Sequence, residues 1–223
     1  MERRFGVDKL RPAVVTIDMH RGHLDPAVAT MPVLPGTEGR TIHSNAAFLK
    51  AARAAQVPVI HMLTQYIDAC EIRMNPFWRT RADNPTATRK LVERHQLQGG
   101  PGCEIMPEIL DDSYDIILDT KRRYDCFQAT DLELVLKARG VTMVMFTGIN
   151  TNSCVLATTV RANTLDFAPV VVEDCVDTMD GPELHTAGLQ VIKTAFGWVM
   201  TAEEIQRDIF SVFSSGQYAG AAP

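Results

Sequence analysis

Asp18, Lys121 and Cys154 are side chains whose types suit one covalent reaction at a carbonyl carbon. A thiolate attacks, a carboxylate carries the proton from thiol to leaving group, and an ammonium steadies the charges between them. Cys154 closes the stretch Gly148-Ile149-Asn150-Thr151-Asn152-Ser153-Cys154, just inside the start of a helical segment. The positive end of the helix dipole there favours thiolate, and a nearby Lys121 would push the same way. Each residue also has a plainer reading. Asp18 suits a turn or helix cap, Cys154 a small core residue, and the run Lys121-Arg122-Arg123 a solvated face. Spacing alone leaves both readings open.

Convergence of the three depends on the elements that carry them. Apolar, largely β-branched runs occupy 13–18, 57–61, 115–119, 142–147 and 169–173, with a weaker sixth at 198–200. Such continuous runs predict strands buried on both faces, as in a parallel sheet. Helical patterns at 41–55, 129–139, 153–165 and 182–196 fall between them. The expected fold class is α/β: a three-layer α/β/α sandwich with a mainly parallel, about six-stranded doubly wound sheet. Ligands bind at the carboxyl ends of such strands, which is where all three residues fall. The stretch 65–107, with Pro76, Pro85 and Gly99-Gly100-Pro101-Gly102, breaks the alternation and predicts an excursion over one end of the sheet. Residues 214–223 are small and polar and are expected to fray. No repeat or linker divides the chain, so 1–223 is read as a single domain with its core at about 11–201.

Composition narrows the function classes. A chain of 223 residues, 46% hydrophobic and 22% charged, can bury one sizeable core. A formal net charge of -5 argues against nucleic-acid binding. No apolar run is long enough for a membrane span, and the first residues lack the apolar region of a secretory signal. Five cysteines, odd in number and never spaced C-x-x-C, indicate free thiols. A cytoplasmic enzyme is the expectation.

The sequence resembles the isochorismatase-like cysteine hydrolases, a family that includes nicotinamidase, N-carbamoylsarcosine amidase, biuret hydrolase and ureidoacrylate amidohydrolase. The matching segments are Val15-Thr16-Ile17-Asp18-Met19, Thr120-Lys121 with Phe127 and Thr130-Asp131-Leu132, Thr147 through Val155, and Val172-Glu173-Asp174-Cys175. The resemblance runs from about Arg11 to Thr201 and implies an Asp18–Lys121–Cys154 triad. It implies a cis peptide at Ile149-Asn150, with the backbone N–H groups of Asn150 and Cys154 forming an oxyanion hole. Some members carry glycine at the position of Cys154 and cleave a vinyl ether, so the cysteine favours amide chemistry. The implied function is hydrolysis of a small amide or carbamoyl/ureido compound through an acyl-enzyme on Cys154, releasing ammonia or an amine. A nicotinamidase- or maleamate-amidase-like hydrolase is the alternative, and a silent binding scaffold would require a lost triad residue. Homodimers or homotetramers are usual in the family.

Nicotinamidases of the family bind a metal through an Asp-x-His pair after the second strand. Here that stretch reads Thr64-Gln65-Tyr66-Ile67-Asp68-Ala69-Cys70, without the pair, so no metal and no cofactor are expected. His20, His23 and Asp25 are acceptable zinc ligands by type, but their spacing matches no standard site. His23 is expected at the pocket wall, and His61 and His185 are expected to be structural. Within the excursion, Arg73, Arg79 and Arg81 surround Trp78 and are candidates to pair with a substrate carboxylate. Phe127 and, from the last helix, Gln190 complete the substrate-contact candidates.

Overall fold

The computed structural model describes residues 2–82, 89 and 92–214. Six parallel strands make one sheet in the order β3-β2-β1-β4-β5-β6: β1 Pro12–Ile17, β2 Val59–Thr64, β3 Ile116–Lys121, β4 Met143–Ile149, β5 Ala168–Asp177 and β6 Trp198–Met200. Every residue of β1, β2 and β4 is buried, which is why these strands read as unbroken apolar runs rather than alternating ones. Alternate side chains nonetheless serve different layers. Val14, Val59, Met143, Met145 and Val170 pack with Phe48 and Leu49 of helix Glu38–Ala54 and with Ile205 and Ile209 near the C-terminus. Val15, Ile60, Val144, Phe146 and Val171 face Leu132 and Leu136, Val155 and Ala162, and Ile192 on the opposite side. The arrangement is a three-layer α/β/α sandwich.

All six expected strands form, and the weak one at 198–200 is the edge strand β6. β5 runs on to Asp177, beyond the expected end at 173. The excursion has local structure of its own. Asp68 caps helix Ala69–Arg73 through the N–H groups of Cys70 and Glu71, and Asn75 caps helix Pro76–Arg79. Isolated bridges His20–Ile105 and Tyr66–Leu97 tie this region to the segments leaving β1 and β2. The helical segment from Ala202 to Ser214 was not foreseen; Thr201 and Glu204 open it with a reciprocal capping box. The tail expected to fray lies, beyond Ser214, outside the described residues.

Strand order reverses between β1 and β4, so the loops after these strands part and leave a crevice at their carboxyl ends. Gly148 fixes how closely the two strands approach. Its φ of 102° lies in the left-handed region, and a Cβ there would stand 2.1 Å from the carbonyl oxygen of Ile17.

Candidate active site

Three strand ends deliver three side chains to that crevice. Asp18 follows β1 with φ of 53°, which turns the chain sharply and sends its carboxylate toward β2. Oδ1 accepts hydrogen bonds from the Thr64 backbone N–H at 2.9 Å and the Thr64 hydroxyl at 2.8 Å. Oδ2 accepts from Lys121 Nζ at 2.6 Å. Lys121, the last residue of β3, also donates to Thr64 Oγ1 at 2.6 Å and reaches Cys154 Sγ at 3.5 Å. Cys154 lies in a single π-helical turn, Thr151–Val155, that precedes helix Leu156–Thr164. The Ile149–Asn150 peptide before it is cis. Asn150 is held by Met179 N–H, which donates to its Oδ1 at 2.9 Å, and Asn152 Nδ2 donates to Asp180 at 2.9 Å.

Asp18 and Lys121 are each 1% exposed and Cys154 5%. Lys121 therefore lies on no solvated face. Burial alone would raise the Asp18 carboxyl, but the Lys121 ammonium overrides it and holds Asp18 well below the usual carboxylate range. Burial likewise disfavours the Lys121 charge, and the negative charges beside it, Asp18 first, keep it protonated far above its ordinary range. Burial works against the thiolate that the helix start and Lys121 favour. Burial pushes the Cys154 thiol up to about 11, with Asp18 adding to the effect and Lys121 opposing it. Asp18 and the thiol share the Lys121 ammonium, which reaches the carboxylate at 2.6 Å and the sulfur at 3.5 Å, so the group that would take the proton stands beside it.

The crevice spans about 530 Å³ including its open mouth, and Asp18, Thr64, Lys121, Asn150 and Cys154 form its reactive end. Tyr66, Phe77, Trp78 and Tyr124 give it aromatic walls, with His23 and His95 nearby and Arg81, Arg89 and Arg123 around it. Trp78 Nε1 donates to Tyr124 Oη at 3.0 Å, and Arg123 lies 5.2 Å from the Trp78 ring centre. Arg89 forms an ion pair with Asp180 and donates to Ser153 Oγ at 3.2 Å.

Of the substrate-contact candidates, His23, Trp78 and Arg81 line the crevice and four do not. Arg73 pairs with Glu93, and Arg79 donates to the Arg73 carbonyl at 2.8 Å, both on the outer side of the excursion. Phe127 is a core residue whose ring stacks on Phe167 with centroids 6.0 Å apart. Gln190 is exposed on helix Pro182–Val191. The set of His20, His23 and Asp25 is not assembled either: Asp25 turns away to Arg21 at 2.8 Å and to the Ala27 N–H at 2.9 Å. His95 stands with the two imidazoles instead. Burial pushes all three below the ordinary histidine range, His20 to about 3, so they are uncharged at neutral pH. His61 is structural as expected, bonded to Thr16 Oγ1 at 2.7 Å and Asp115 Oδ2 at 2.9 Å. Sequence reasoning missed Tyr66, His95, Arg89, Arg123 and Tyr124. Only the local density of aromatic and basic residues marked that region.

The chain is similar to known proteins in sequence and in fold. An isochorismatase domain model matches residues 12–204. A ureidoacrylate amidohydrolase from Variovorax paradoxus is 30% identical over 207 residues, covering 87% of this chain and 80% of the relative. The corresponding protein of an Enterobacter species is 31% identical, covering 86% of each. Among solved structures, a cysteine hydrolase from Pseudomonas syringae superposes with a TM-score of 0.77 at 25% identity, over 93% of this chain and 94% of that one. The fold is also that of N-carbamoylsarcosine amidase from Thermoplasma acidophilum, with a TM-score of 0.69 at 23% identity, covering 88% of this chain and 99% of that one.

Proposed function

Because the chain belongs to the isochorismatase family, we propose that it is a cysteine amidohydrolase that cleaves the non-peptide C–N bond of a small ureido or amide compound. The observation that carries the reading is the buried ammonium of Lys121, in contact with both a carboxylate and a thiol at the floor of the crevice. Asp18 takes the Cys154 proton as Sγ bonds to the substrate carbonyl carbon, and the carbonyl oxygen becomes an oxyanion facing the Asn150 and Cys154 N–H groups. When the tetrahedral species collapses, the C–N bond breaks and Asp18 gives its proton to the departing nitrogen, releasing ammonia or an amine. Water then adds to the thioester with Asp18 again as base. The acid product leaves, and the thiol is restored. Lys121 keeps Asp18 ionised between these steps and offsets the charge that passes through sulfur.

Arg81 and Arg123 favour an anionic substrate. Arg81 lies 4.4 Å from the Phe77 ring centre, and the Arg123 guanidinium donates to the Arg122 and Glu71 carbonyls and, among the described residues, to no carboxylate. The relatives named as ureidoacrylate amidohydrolases favour a ureido acid over a neutral amide. We read the chain as one hydrolase unit of a cytoplasmic homo-oligomer. Among the described residues no helix is long and apolar enough to cross a membrane. The test is ammonia release from a panel of ureidoacrylate-like acids, N-carbamoyl amino acids, biuret, maleamate and nicotinamide, with wild type and Cys154→Ser compared. Turnover of a ureido acid that vanishes in the variant supports the reading. Activity that survives the substitution removes Cys154 as nucleophile, and turnover of nicotinamide alone would overturn the ureido assignment.

A further inference from the structure

We propose that His20, His23 and His95 form a binding site for one divalent transition-metal ion in the wall of the crevice, beside Asp18. His20 and His23 come from the loop after β1, and His95 from the excursion 72 positions beyond His23. Their ligand atoms lie within 4.8 Å of one another, and the residues are 0%, 3% and 4% exposed. This set shares no residue with the stretch after β2 where nicotinamidases carry their pair, and it departs from the metal-free expectation drawn from that stretch.

The hydrogen bonds around the trio are those of imidazoles prepared as ligands. His23 Nδ1 lies 2.5 Å from the Met31 carbonyl oxygen, which can only accept, so Nδ1 carries the proton and Nε2 keeps a bare lone pair. His95 Nδ1 is held by Thr30 Oγ1 at 2.8 Å, a hydroxyl able to accept its proton and leave Nε2 bare. Metal-ligating histidines are usually fixed by such a bond from the other ring nitrogen. His20 Nε2 lies 3.7 Å from Asp18 Oδ1, which supplies negative charge to the site. Against His20 rests the carboxamide of Gln96, itself 2% exposed, whose Oε1 has no hydrogen-bond partner. The carboxamide is packed against Gly22, where any Cβ would stand 2.2 Å from Gln96 Nε2. Among the described residues that oxygen lacks a donor, and Gln96 Nε2 engages the His20 ring nitrogens, so the carboxamide must turn away for His20 to join the bare nitrogens of His23 and His95.

Imidazole ligands select zinc, cobalt, nickel or copper over magnesium and calcium, which prefer oxygen. With bonds of about 2.0–2.1 Å, a tetrahedral ion holds its nitrogens roughly 3.3 Å apart, so the trio closes on binding. The rings of His20 and His23, stacked at 4.8 Å and 14°, must tilt to do so. Three protein ligands leave one position open, and His23 and His95 turn it toward the crevice.

The test needs no substrate and so stands apart from the amidase reading. Chelator-treated full-length protein is titrated with Zn²⁺ and Co²⁺, following stoichiometry by elemental analysis, the Co²⁺ absorption bands and the shift in Tm. One equivalent is expected in wild type and in Cys154→Ser, with binding lost in His23→Gln and in His95→Gln. Thr30→Val is expected to weaken affinity at least about tenfold by releasing His95. Circular dichroism establishes that each variant is folded, and His185→Gln, outside the trio, is expected to bind as wild type does. Folded wild type that takes up no ion, or uptake that persists in the His23→Gln/His95→Gln double variant, would overturn the proposal. So would loss of binding in Cys154→Ser, which would make the nucleophile the ligand.

Discussion

Replacing Thr64 by valine tests the connection between Asp18 and Lys121 without touching either. The hydroxyl stands between them, donating to Asp18 Oδ1 at 2.8 Å and accepting from Lys121 Nζ at 2.6 Å, while the backbone N–H of the same residue holds Oδ1 independently. Valine keeps the shape and the backbone bond and removes both hydroxyl bonds. Hydrogen bonds to charged groups are each worth about 1.5–3 kcal/mol, and the added methyl returns roughly 0.8 kcal/mol. A net destabilisation of about 2–5 kcal/mol follows, read as a lower urea midpoint at unchanged m. The carboxylate loses one of the three bonds that orient it, so kcat/KM on a turned-over amide is expected to fall about 10–100-fold, or about 1.4–2.7 kcal/mol of barrier. Alkylation of Cys154 by iodoacetamide gives a substrate-free readout and should change with it. A Thr64→Val protein with wild-type midpoint, turnover and alkylation rate would show that the hydroxyl is a spectator and that the ion pair is set by backbone placement alone.

Three further perturbations bear on the fold and the pocket. Gly148→Ala should cost more than about 4 kcal/mol, because its Cβ would meet the Ile17 carbonyl oxygen; soluble protein with a near-normal Tm would refute the close approach of β1 and β4. Burial pushes the Asp115 carboxyl up, but bonds from His61 and Arg53 outweigh it and hold it near about 2, below its ordinary 3.8. A depressed carboxyl stabilises above its unfolded value, so this contribution should be full above about pH 4 and fade toward pH 2. In Asp115→Asn that acid-dependent part should be missing from urea midpoints measured across the range, and an unchanged pH slope would refute it. Arg81→Ala and Arg123→Ala should each raise KM about tenfold or more for a carboxylate-bearing amide and leave it unchanged for a neutral one; equal effects on both would remove the anion preference.

The strands were legible because both faces of β1, β2 and β4 are covered, which turns burial into uninterrupted apolar runs. The three reactive residues were legible because a parallel sheet places its strand ends together, and the pattern of runs gives those ends directly. The walls of the crevice were not. Arg73, Arg79, Arg81 and Trp78 lie within nine positions, yet only Arg81 and Trp78 line the crevice. Which side of a short capped helix faces inward depends on packing against Tyr66 and Tyr124, contacts between segments tens of residues apart. His95 was invisible for the same reason. Its partners stand 72 and 75 positions earlier, and no local pattern announces them.

The protonation of the site also reverses a local argument. A helix start and a neighbouring ammonium both favour thiolate, and either alone would suggest a reactive cysteine at rest. Burial and the Asp18 carboxylate work against them and outweigh them, so the thiol is pushed up while Asp18 stays ionised beside it. Lys121 is thus matched to Asp18 rather than to sulfur, as its contacts of 2.6 Å and 3.5 Å indicate. With the thiol pushed up by burial, its nucleophilic form is disfavoured at rest. Reactivity must then come from the substrate. A carbonyl seated against the Asn150 and Cys154 N–H groups lets negative charge move onto oxygen as the proton moves to Asp18, so free thiolate never accumulates. The same buried charges that hold the floor of the crevice together therefore also keep its nucleophile protected until a carbonyl arrives.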